Sequence, residues 1–190
     1  MTVRDASPGP APSPGGTPNS SGIVLVDLDR NARERAVPVI RDGFVGIYRW
    51  HAKRTLREVP LVRAAELRGE VVGVSLLDLL LPEVGYVYYL IVLSSHRQHG
   101  VGGLLLDDAL GWFRTRGVEV VYAAVQSDNP ASLRLFEHRG FRAVERKELG
   151  WREGGLGAWG LRSRMLVVSG ELLLGLRLRA RQAPGAAAGP

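Results

Sequence analysis

Residues Arg97 to Gly103, with the sequence Arg-Gln-His-Gly-Val-Gly-Gly, constrain the fold of this chain more than any other segment. The run before them, Tyr86 to Leu93, is apolar, β-branched and aromatic, which predicts a strand. The run after them, Leu104 to Phe113, carries apolar residues at helical spacing. A glycine-rich turn that joins a strand to a helix presents free N–H groups and the positive end of the helix dipole, and Arg97 adds a further donor. This segment alone therefore predicts either an anion site or a structural turn.

The composition limits the chemistry that the chain can perform. Its 190 residues are enough for one domain with its own core. Cysteine is absent, which excludes disulfides, thiolate metal ligands and a cysteine nucleophile. The net charge of +6 favours anionic ligands in general, but the basic residues are nearly all arginines spread along the chain. A nucleic-acid footprint would be clustered, so we expect no nucleic-acid partner.

Sequence patterns also argue against three other kinds of site. No Gly-Lys-Ser/Thr follows the glycines, so the turn is not a nucleoside triphosphate loop. His96 and His99 have no neighbouring carboxylates, so we expect no metal site. The apolar stretch from Val71 to Leu93 is interrupted by Asp78 and Pro82, so we expect no membrane span. Because the first residues lack the apolar segment of a signal peptide, the expected location is cytoplasmic.

Composition changes along the chain predict one domain between two disordered ends. Ser7 to Gly22 is rich in Pro, Gly, Ser and Asn, so residues 1–22 are expected to form a disordered leader. The domain is expected to cover residues 23–168. Residues 169–190 are expected to form a partly disordered tail, although the alternation over 174–179 also suits an edge strand or an interaction segment.

Apolar periodicity and turn residues predict a mixture of strands and helices. Pro38 predicts a kink or a break in the first helical segment. Short turns between three successive apolar runs predict an antiparallel meander. The order departs from the strict alternation of a dinucleotide-binding fold and indicates an α/β (α+β) fold. The expected elements are strand 23–26, helix 29–48, helix 51–56, strands 61–67, 71–80 and 86–93, helix 104–113, strand 118–125, helix 131–139 and strands 141–148 and 164–168.

A second motif lies downstream, from Asn129 to Phe141. Its sequence, Asn-Pro-Ala-Ser-Leu-Arg-Leu-Phe-Glu-His-Arg-Gly-Phe, resembles the N-x-x-A/S-x-x-L-Y/F-x-x-x-G-F segment of the GNAT superfamily of N-acetyltransferases. In that family the segment lies downstream of a strand that ends in R/Q-x-x-G-x-G/A, as Arg97 to Gly102 does here. The two motifs and the elements between them cover Tyr86 to Phe141. The resemblance is specific for the superfamily and its cofactor, not for the acceptor.

The resemblance implies a central sheet, mixed and mostly antiparallel, that is splayed open in the middle and flanked by helices, with acetyl-CoA in the gap. The strand backbone of Ile91, Val92 and Leu93 would bind the pantetheine arm. Asn129 would contact the cofactor near the thioester or the pantetheine, and Phe136 stands where many members have tyrosine. The pyrophosphate would be bound by Arg97, Gln98, His99, Gly100, Val101, Gly102 and Gly103.

The proton-transfer residues of the family are not matched here. Phe136 cannot protonate the departing thiolate as the family's tyrosine is thought to do, and Tyr88 stands where many members have a glutamate base. The candidate catalytic residues are therefore Tyr88, Tyr89 and Glu83. As the base, Asp78 or an ordered water remains an alternative to Glu83.

The resemblance implies an acetyl-CoA-dependent N-acetyltransferase in which an amine attacks the thioester directly. The acceptor is expected to be a small-molecule or peptide amine, and the chain could form a homodimer. The alternative is a catalytically silent CoA-binding sensor or interaction module of the same fold. Trp151 and Trp159, in the glycine-rich segment from Gly150 to Gly160, either line an acceptor pocket or anchor that loop.

Overall fold

The computed structural model describes residues 22–145, 165 and 170–178. Within these residues, seven strands form one sheet in the order β1-β2-β3-β4-β5-β7-β6. The strands are β1 (Ile23–Asp27), β2 (Leu61–Leu67), β3 (Glu70–Leu81), β4 (Val84–Val92), β5 (Val120–Gln126), β6 (Arg142–Ala143) and β7 (Glu171–Arg177). The helices are α1 (Val37–Gly43), α2 (Gly46–Glu58), α3 (Val101–Thr115) and α4 (Pro130–Glu137).

A parallel strand pair lies at the centre of an otherwise antiparallel sheet. The strands β1 to β4 pair antiparallel in chain order, so the structure contains the meander that the short turns predict. The next pair, β4 and β5, is parallel, because α3 carries the chain back across the sheet between them. The pairs β5–β7 and β6–β7 are again antiparallel. The expected mixed, mostly antiparallel sheet is therefore confirmed.

Helices cover both faces of the sheet, which we call the front and the back. On the front face, Ile40 of α1 and Leu56 of α2 pack in one buried cluster with Val74 of β3. On the back face, Phe113 of α3 packs in a second cluster with Val121 of β5. The central strands are consequently buried on both sides, which agrees with their nearly continuous apolar sequence.

The segment expected as one helix over 29–48 is divided at two places. A 3-10 turn, Ala32–Ala36, leads into α1, and Pro38 lies in the first turn of α1, where its missing N–H costs no hydrogen bond. A second division falls at Phe44 and Val45, whose extended backbone separates α1 from α2. The kink or break expected at Pro38 therefore coincides with the change from 3-10 helix to α-helix at Ala36 and Val37. The short helix expected over 51–56 is part of the longer α2.

The sheet continues beyond residue 168, where the domain was expected to end. Strand β7 pairs with β5 along its whole length, from Glu171 to Arg177, and with β6 on its other side. Leu173 and Leu174 are both buried, although they lie on opposite faces of the sheet. The expectation of a tail over 169–190 is therefore corrected for residues 171–177, which form an interior strand rather than an edge strand.

Several predicted features lie outside the described residues. The strand predicted over 141–148 is described only up to residue 145, and this part contains β6 at Arg142–Ala143. The predicted features that lie outside the described residues are nearly all of the expected leader, the loop 150–160 with Trp151 and Trp159, the rest of the strand predicted over 141–148, and most of the strand predicted over 164–168.

A nearly buried arginine joins the first two strands to α3. Arg63 of β2 donates from Nε and Nη2 to Asp108 of α3 at 2.6 and 2.7 Å, and from Nη1 to Asp27 of β1 at 2.6 Å. Burial lowers the pKa of Arg63, but its hydrogen bonds with the two carboxylates raise the pKa more, so the guanidinium stays charged. This ion-pair group fixes the middle of α3 on the back of the sheet.

Arg63→Leu is expected to lower the free energy of unfolding by about 3 kcal/mol, because two partly buried carboxylates lose their guanidinium partner. Arg54→Leu is the matched control, since Arg54 pairs with Glu58 on the exposed surface of α2. Loss of that pair should cost about 0.5 kcal/mol or less. Urea unfolding measures both values, and equal losses in the two variants would contradict the role given to Arg63.

Candidate functional site

The strands β4 and β5 separate from each other part-way along the sheet. Their parallel pairing ends at Val87 and Ala123, although β4 continues to Val92 and β5 to Gln126. Beyond this point the two strands diverge and leave a gap between residues 88–92 and residues 124–126. The splay that the family resemblance implies is therefore present, and its open end lies at the carboxyl ends of both strands.

A β-bulge at Tyr88 coincides with the point of separation. Leu76 of β3 pairs with Tyr89 and Leu77 pairs with Val87, so Tyr88 is the extra residue on β4. A bulge bends its strand and increases the local twist, which turns the second half of β4 away from β5. The extra residue also places Tyr88 and Tyr89 on the same face, where both pack against the front-face cluster.

The backbone of β4 presents hydrogen-bonding groups to the gap. The N–H of Leu93 donates to the carbonyl of Val72, beside β3, at 2.9 Å. Because alternate residues of a strand direct their backbone groups to opposite edges, Ile91 and Leu93 face β3, whereas Leu90 and Val92 face the gap. Of the three residues predicted to bind a pantetheine arm, Val92 has the required orientation. Leu90 has the same orientation, which local sequence does not reveal, because strand register is set by long-range pairing.

A turn with left-handed backbone residues joins β4 to α3. One 3-10 turn, Ser94–His96, follows the strand. Gln98 and Gly100 have φ values of 64° and 81°, and a Cβ at Gly100 would meet no atom within 4 Å. Gly100 is also the N-cap of α3, and no side chain caps the helix there. The N–H groups of Val101, Gly102 and Gly103, in the first helical turn, therefore lack intrahelical acceptors and are suited to an anion.

Arg97 lies at the edge of this turn and contacts two protein groups. Its Nε donates to the Val92 carbonyl at 3.1 Å, and its Nη2 lies 3.5 Å from Oδ2 of Asp42. The Arg97 side chain is 53% exposed, so it has room to turn toward a phosphate. Asp42, at the end of α1, also accepts from the N–H and the hydroxyl of Ser94 at 2.7 and 2.8 Å. These hydrogen bonds hold the pKa of Asp42 below its ordinary value, and the carboxylate thereby ties α1 to the turn.

Gly102 allows α4 to approach the start of α3, and Gly103 faces the end of the Arg139 side chain. A Cβ at Gly102 would lie 3.3 Å from Leu135, and a Cβ at Gly103 would lie 2.5 Å from Nη2 of Arg139. Arg139 in turn makes a bidentate ion pair with Asp107 of α3, at 2.8 and 3.0 Å. Gly102 therefore has a packing role, in addition to any role of its N–H group in binding, whereas a side chain at 103 would displace the flexible end of Arg139.

The helix α4 begins next to the gap, shortly after the end of β5. Asn129 is its N-cap, and the Oδ1 atom accepts from the N–H of Ser132 at 3.0 Å. The side-chain nitrogen of Asn129, rather than this oxygen, is therefore the atom suited to a ligand contact. Phe136 is 4% exposed and its ring packs edge-to-face on Phe141, with centroids 4.9 Å apart. This core packing accounts for Phe136 without any ligand.

Tyr86 and Tyr89, on either side of the bulge, keep their protons at neutral pH. Burial raises the pKa of Tyr89 to about 12, and the negative charge of Glu171 adds to the shift. Burial and Glu171 also raise the pKa of Tyr86, whose hydroxyl donates to the carbonyl of Met165. Tyr88 packs edge-to-face on Tyr86 at 4.7 Å. A phenol with a raised pKa can donate a hydrogen bond but does not act as a base.

The carboxylates near β4 differ in their position along the sheet. Glu83 lies in the exposed turn before β4, about 16 Å of extended chain ahead of Tyr88, so the structure does not bring it to the gap. Asp78, on β3, pairs with Tyr86 of β4, in the part of the sheet where β4 and β5 are still paired. Glu171, at the start of β7, is not among the candidate residues of the sequence, because the sequence pattern of that segment suits a tail as well as a strand.

The described residues contain neither a metal cluster nor a membrane-spanning helix. No group of three or more His, Asp or Glu side chains among them could hold a metal ion. None of the helices in this part of the chain is long and apolar enough to cross a membrane. The two histidines of the turn have protein partners: His96 Nδ1 lies 2.8 Å from the Ser95 hydroxyl, and His99 Nδ1 lies 2.7 Å from the Arg97 carbonyl.

The sequence matches the profile of the Acetyltransferase (GNAT) family over residues 28–141. The chain belongs to the GNAT family of acetyltransferases. The matched region runs from the residue after β1 to the residue before β6, so it contains the gap, the bulge and both sequence motifs.

Three relatives of this GNAT protein are either distant in sequence or matched over only part of their length. A segment of 57 residues is 40% identical to the probable N-acetyltransferase HLS1 of Arabidopsis thaliana, and covers 30% of this chain but 14% of that protein. The ribosomal-protein-S18-alanine N-acetyltransferase of Escherichia coli has a similar fold, with a TM-score of 0.62, 16% identity and coverage of 87% of this chain and 97% of that one. The PaiA N-acetyltransferase of Thermoplasma acidophilum, solved in complex with coenzyme A, has a TM-score of 0.61 and 11% identity. The match covers 82% of this chain and 99% of that chain. At these identities the solved structures confirm the GNAT-type fold alone.

Asp42→Asn is expected to destabilise this GNAT protein at neutral pH, because the amide accepts the Ser94 hydrogen bonds less strongly and does not attract Arg97. The pKa of Asp42 is lower in the folded protein than in the unfolded chain, so the ionised carboxylate stabilises the fold fully above about pH 4. This contribution is lost as the pH falls through the folded value. Thermal unfolding at a series of pH values should show the difference between variant and parent shrinking in acid. The exposed Glu70→Gln serves as the control, and a pH-independent difference for Asp42→Asn would contradict the assignment.

Proposed function

We propose that this protein transfers the acetyl group of acetyl-CoA to the primary amine of a small molecule or peptide in the cytoplasm. The observation that carries the proposal is the gap between β4 and β5, which leads directly to the uncapped start of α3. Membership of the acetyltransferase family supports the use of an acyl-CoA donor. The coenzyme A complex of PaiA, a protein of similar fold, is consistent with a donor in the same class.

The residues around the gap fit an extended ligand that carries a diphosphate at one end. The gap-facing backbone groups of Leu90 and the N–H of Val92 can pair with the amides of a pantetheine arm, as an added strand would, while the Val92 carbonyl accepts from Nε of Arg97. The side chain of Arg97 and the first N–H groups of α3 suit the diphosphate. The open space above Gly100 lets a phosphate approach the backbone closely. When bound there, acetyl-CoA supplies an activated thioester carbon.

The protein's own contribution to the reaction is positioning and electrostatic stabilisation. An unprotonated amine attacks the thioester directly, because a chain without cysteine forms no cysteinyl acyl-enzyme. Backbone N–H groups of β4 that face the gap stabilise negative charge on the thioester oxygen. Tyr88 and Tyr89 act as hydrogen-bond donors beside the reacting groups. A thiol with a pKa of about 8.5 leaves tolerably as the anion, so the loss of tyrosine at position 136 slows the reaction without abolishing it.

A second proposal is a CoA-binding sensor without turnover. It is favoured by the core position of Phe136 and by the distance of Glu83 from the gap. This proposal predicts the same affinity for CoA as the first one, but no acetyl transfer.

Two measurements separate the proposals. Titration calorimetry with CoA tests binding, and release of free thiol from acetyl-CoA tests transfer to a panel of simple amines, aminoglycosides and peptides with a free N-terminus. Binding with thiol release supports the transferase, whereas binding without it supports the sensor. Failure to bind CoA would contradict both.

Arg97→Ala is expected to weaken CoA binding about tenfold or more, because one charge-assisted hydrogen bond to phosphate contributes about 1.5–3 kcal/mol. Arg116→Ala is the matched control, since that guanidinium stacks on Trp112 at the other end of α3, 4.0 Å from the ring centroid. Its CoA affinity should equal that of the parent protein. Calorimetry measures both, and equal affinities of the two variants would contradict the position given to the diphosphate.

A further inference from the structure

We propose that Glu171 is the carboxylate that accepts the proton of the acceptor amine during acetyl transfer. The inference rests on the proposed function and adds a residue to it. Glu171 belongs to the segment that the sequence pattern assigned to a tail, and it lies outside both family motifs. Its position relative to the gap, the face that it occupies and its effect on the neighbouring phenols support the assignment.

Glu171 is level with the open part of the gap. It pairs with Gln126, the last residue of β5, three positions beyond Ala123, where the pairing of β5 with β4 ends. Three residues of strand span about 10 Å, so Glu171 lies well past the closed part of the sheet. The N–H of Ser127 donates to the carbonyl of Gly170 at 2.9 Å. This hydrogen bond holds the start of β7 against the end of β5, next to the start of α4.

The Glu171 side chain lies on the front face, together with the tyrosines. Strand alternation puts it on the same face as Leu173. Leu173 packs with Tyr86 and Tyr122 in one buried cluster, and Tyr88 packs against that cluster as well as against the cluster under α1 and α2. The half-buried Glu171 carboxylate and the bulge residues of β4 therefore border the same space from opposite sides of the gap.

The charge of Glu171 reaches the phenols on both sides of the bulge. After burial itself, Glu171 is the largest influence that raises the pKa of Tyr86 and of Tyr89. Tyr86 precedes the bulge and Tyr89 follows it, so the carboxylate faces the place where β4 leaves β5. The phenols keep their protons at neutral pH, whereas a carboxylate in this position is able to accept one.

The proposed step is balanced without any further reactant. The amine nitrogen forms a bond to the thioester carbonyl carbon, and the carbon–sulfur bond breaks with its electron pair on sulfur. The proton lost by the nitrogen passes to the Glu171 carboxylate and from there to water, and the CoA thiolate takes up a proton from water. The products are the acetylated amine and CoA thiol. The same negative charge attracts an amine that arrives as an ammonium ion, which favours cationic acceptors.

Glu171→Gln and Glu119→Gln form a matched pair of variants. Each replaces a carboxylate by an amide beside the β5–β7 pair, but Glu119 is exposed at the opposite end of β5, where its carbonyl accepts from the N–H of Leu178. Both full-length variants are compared by calorimetry with CoA and by thiol release from acetyl-CoA. The acceptor is the fastest amine of the panel described above. Glu171→Asp and Asp78→Asn are measured in parallel.

Glu171→Gln is expected to lower kcat about 100-fold, while its affinity for CoA and its KM for acetyl-CoA stay unchanged. Glu171→Asp should recover part of the rate, and Glu119→Gln should match the parent protein throughout. Normal turnover by Glu171→Gln would overturn the inference and leave the transferase in place. A loss of kcat confined to Asp78→Asn would also overturn it. If the parent protein binds CoA and releases no thiol with any amine, the transfer function itself fails.

A second readout does not depend on turnover. The ionisation of Tyr89 is followed by tyrosinate absorbance, as the difference between each variant and the same variant carrying Tyr89→Phe. Glu171→Gln should lower the pKa of Tyr89 from about 12, because the nearby negative charge is removed. Glu119→Gln should leave this pKa unchanged. An unchanged pKa in Glu171→Gln would mean that the carboxylate does not face the gap, which would overturn the inference.

Discussion

The site depends on one irregularity of backbone pairing, the bulge at Tyr88. Paired strands lie about 4.8 Å apart, so a regular sheet has no room for a ligand between its strands. The bulge turns the second half of β4 away from β5, and beyond Val87 the gap-facing N–H and C=O groups of β4 have no partner on β5. Backbone groups in the interior of a sheet need hydrogen-bond partners. An extended ligand with amide groups can satisfy them, so the feature that weakens the sheet also makes it suited to binding.

Ion pairs hold the surrounding helices in place around this gap. Arg63 joins β1 and β2 to the middle of α3, and Arg139 joins the end of α4 to the same helix. Asp42 ties the end of α1 to the turn that precedes α3. Each contact links segments that are far apart in the chain. Together they determine where the first N–H groups of α3 lie relative to the open end of the gap.

The two motifs were readable from the sequence because each depends on local backbone requirements. Gly100 has a φ of 81°, which favours glycine, and Asn129 caps the helix that its motif predicts. The role of β7 was not readable, because a short alternation of leucine with glycine and arginine suits a tail, an edge strand or an interior strand equally well. Its pairing with β5, far away in the chain, decided among these. Pro38 marks a helix boundary because a proline is tolerated in the first turn of an α-helix, where its missing N–H costs no hydrogen bond.

Local sequence was sufficient for the glycine turn, the helix that follows it, the cap of α4 and membership of the family. Tertiary structure alone decided which groups face the gap. The backbone of Leu90 and Val92 faces the gap, and that of Ile91 and Leu93 faces β3. Phe136 lies in the core. Glu83 lies away from the gap, whereas Glu171 lies level with its open part. The physical reason is that strand register is set by long-range hydrogen bonds, and one extra residue in a strand exchanges the faces of every side chain beyond it.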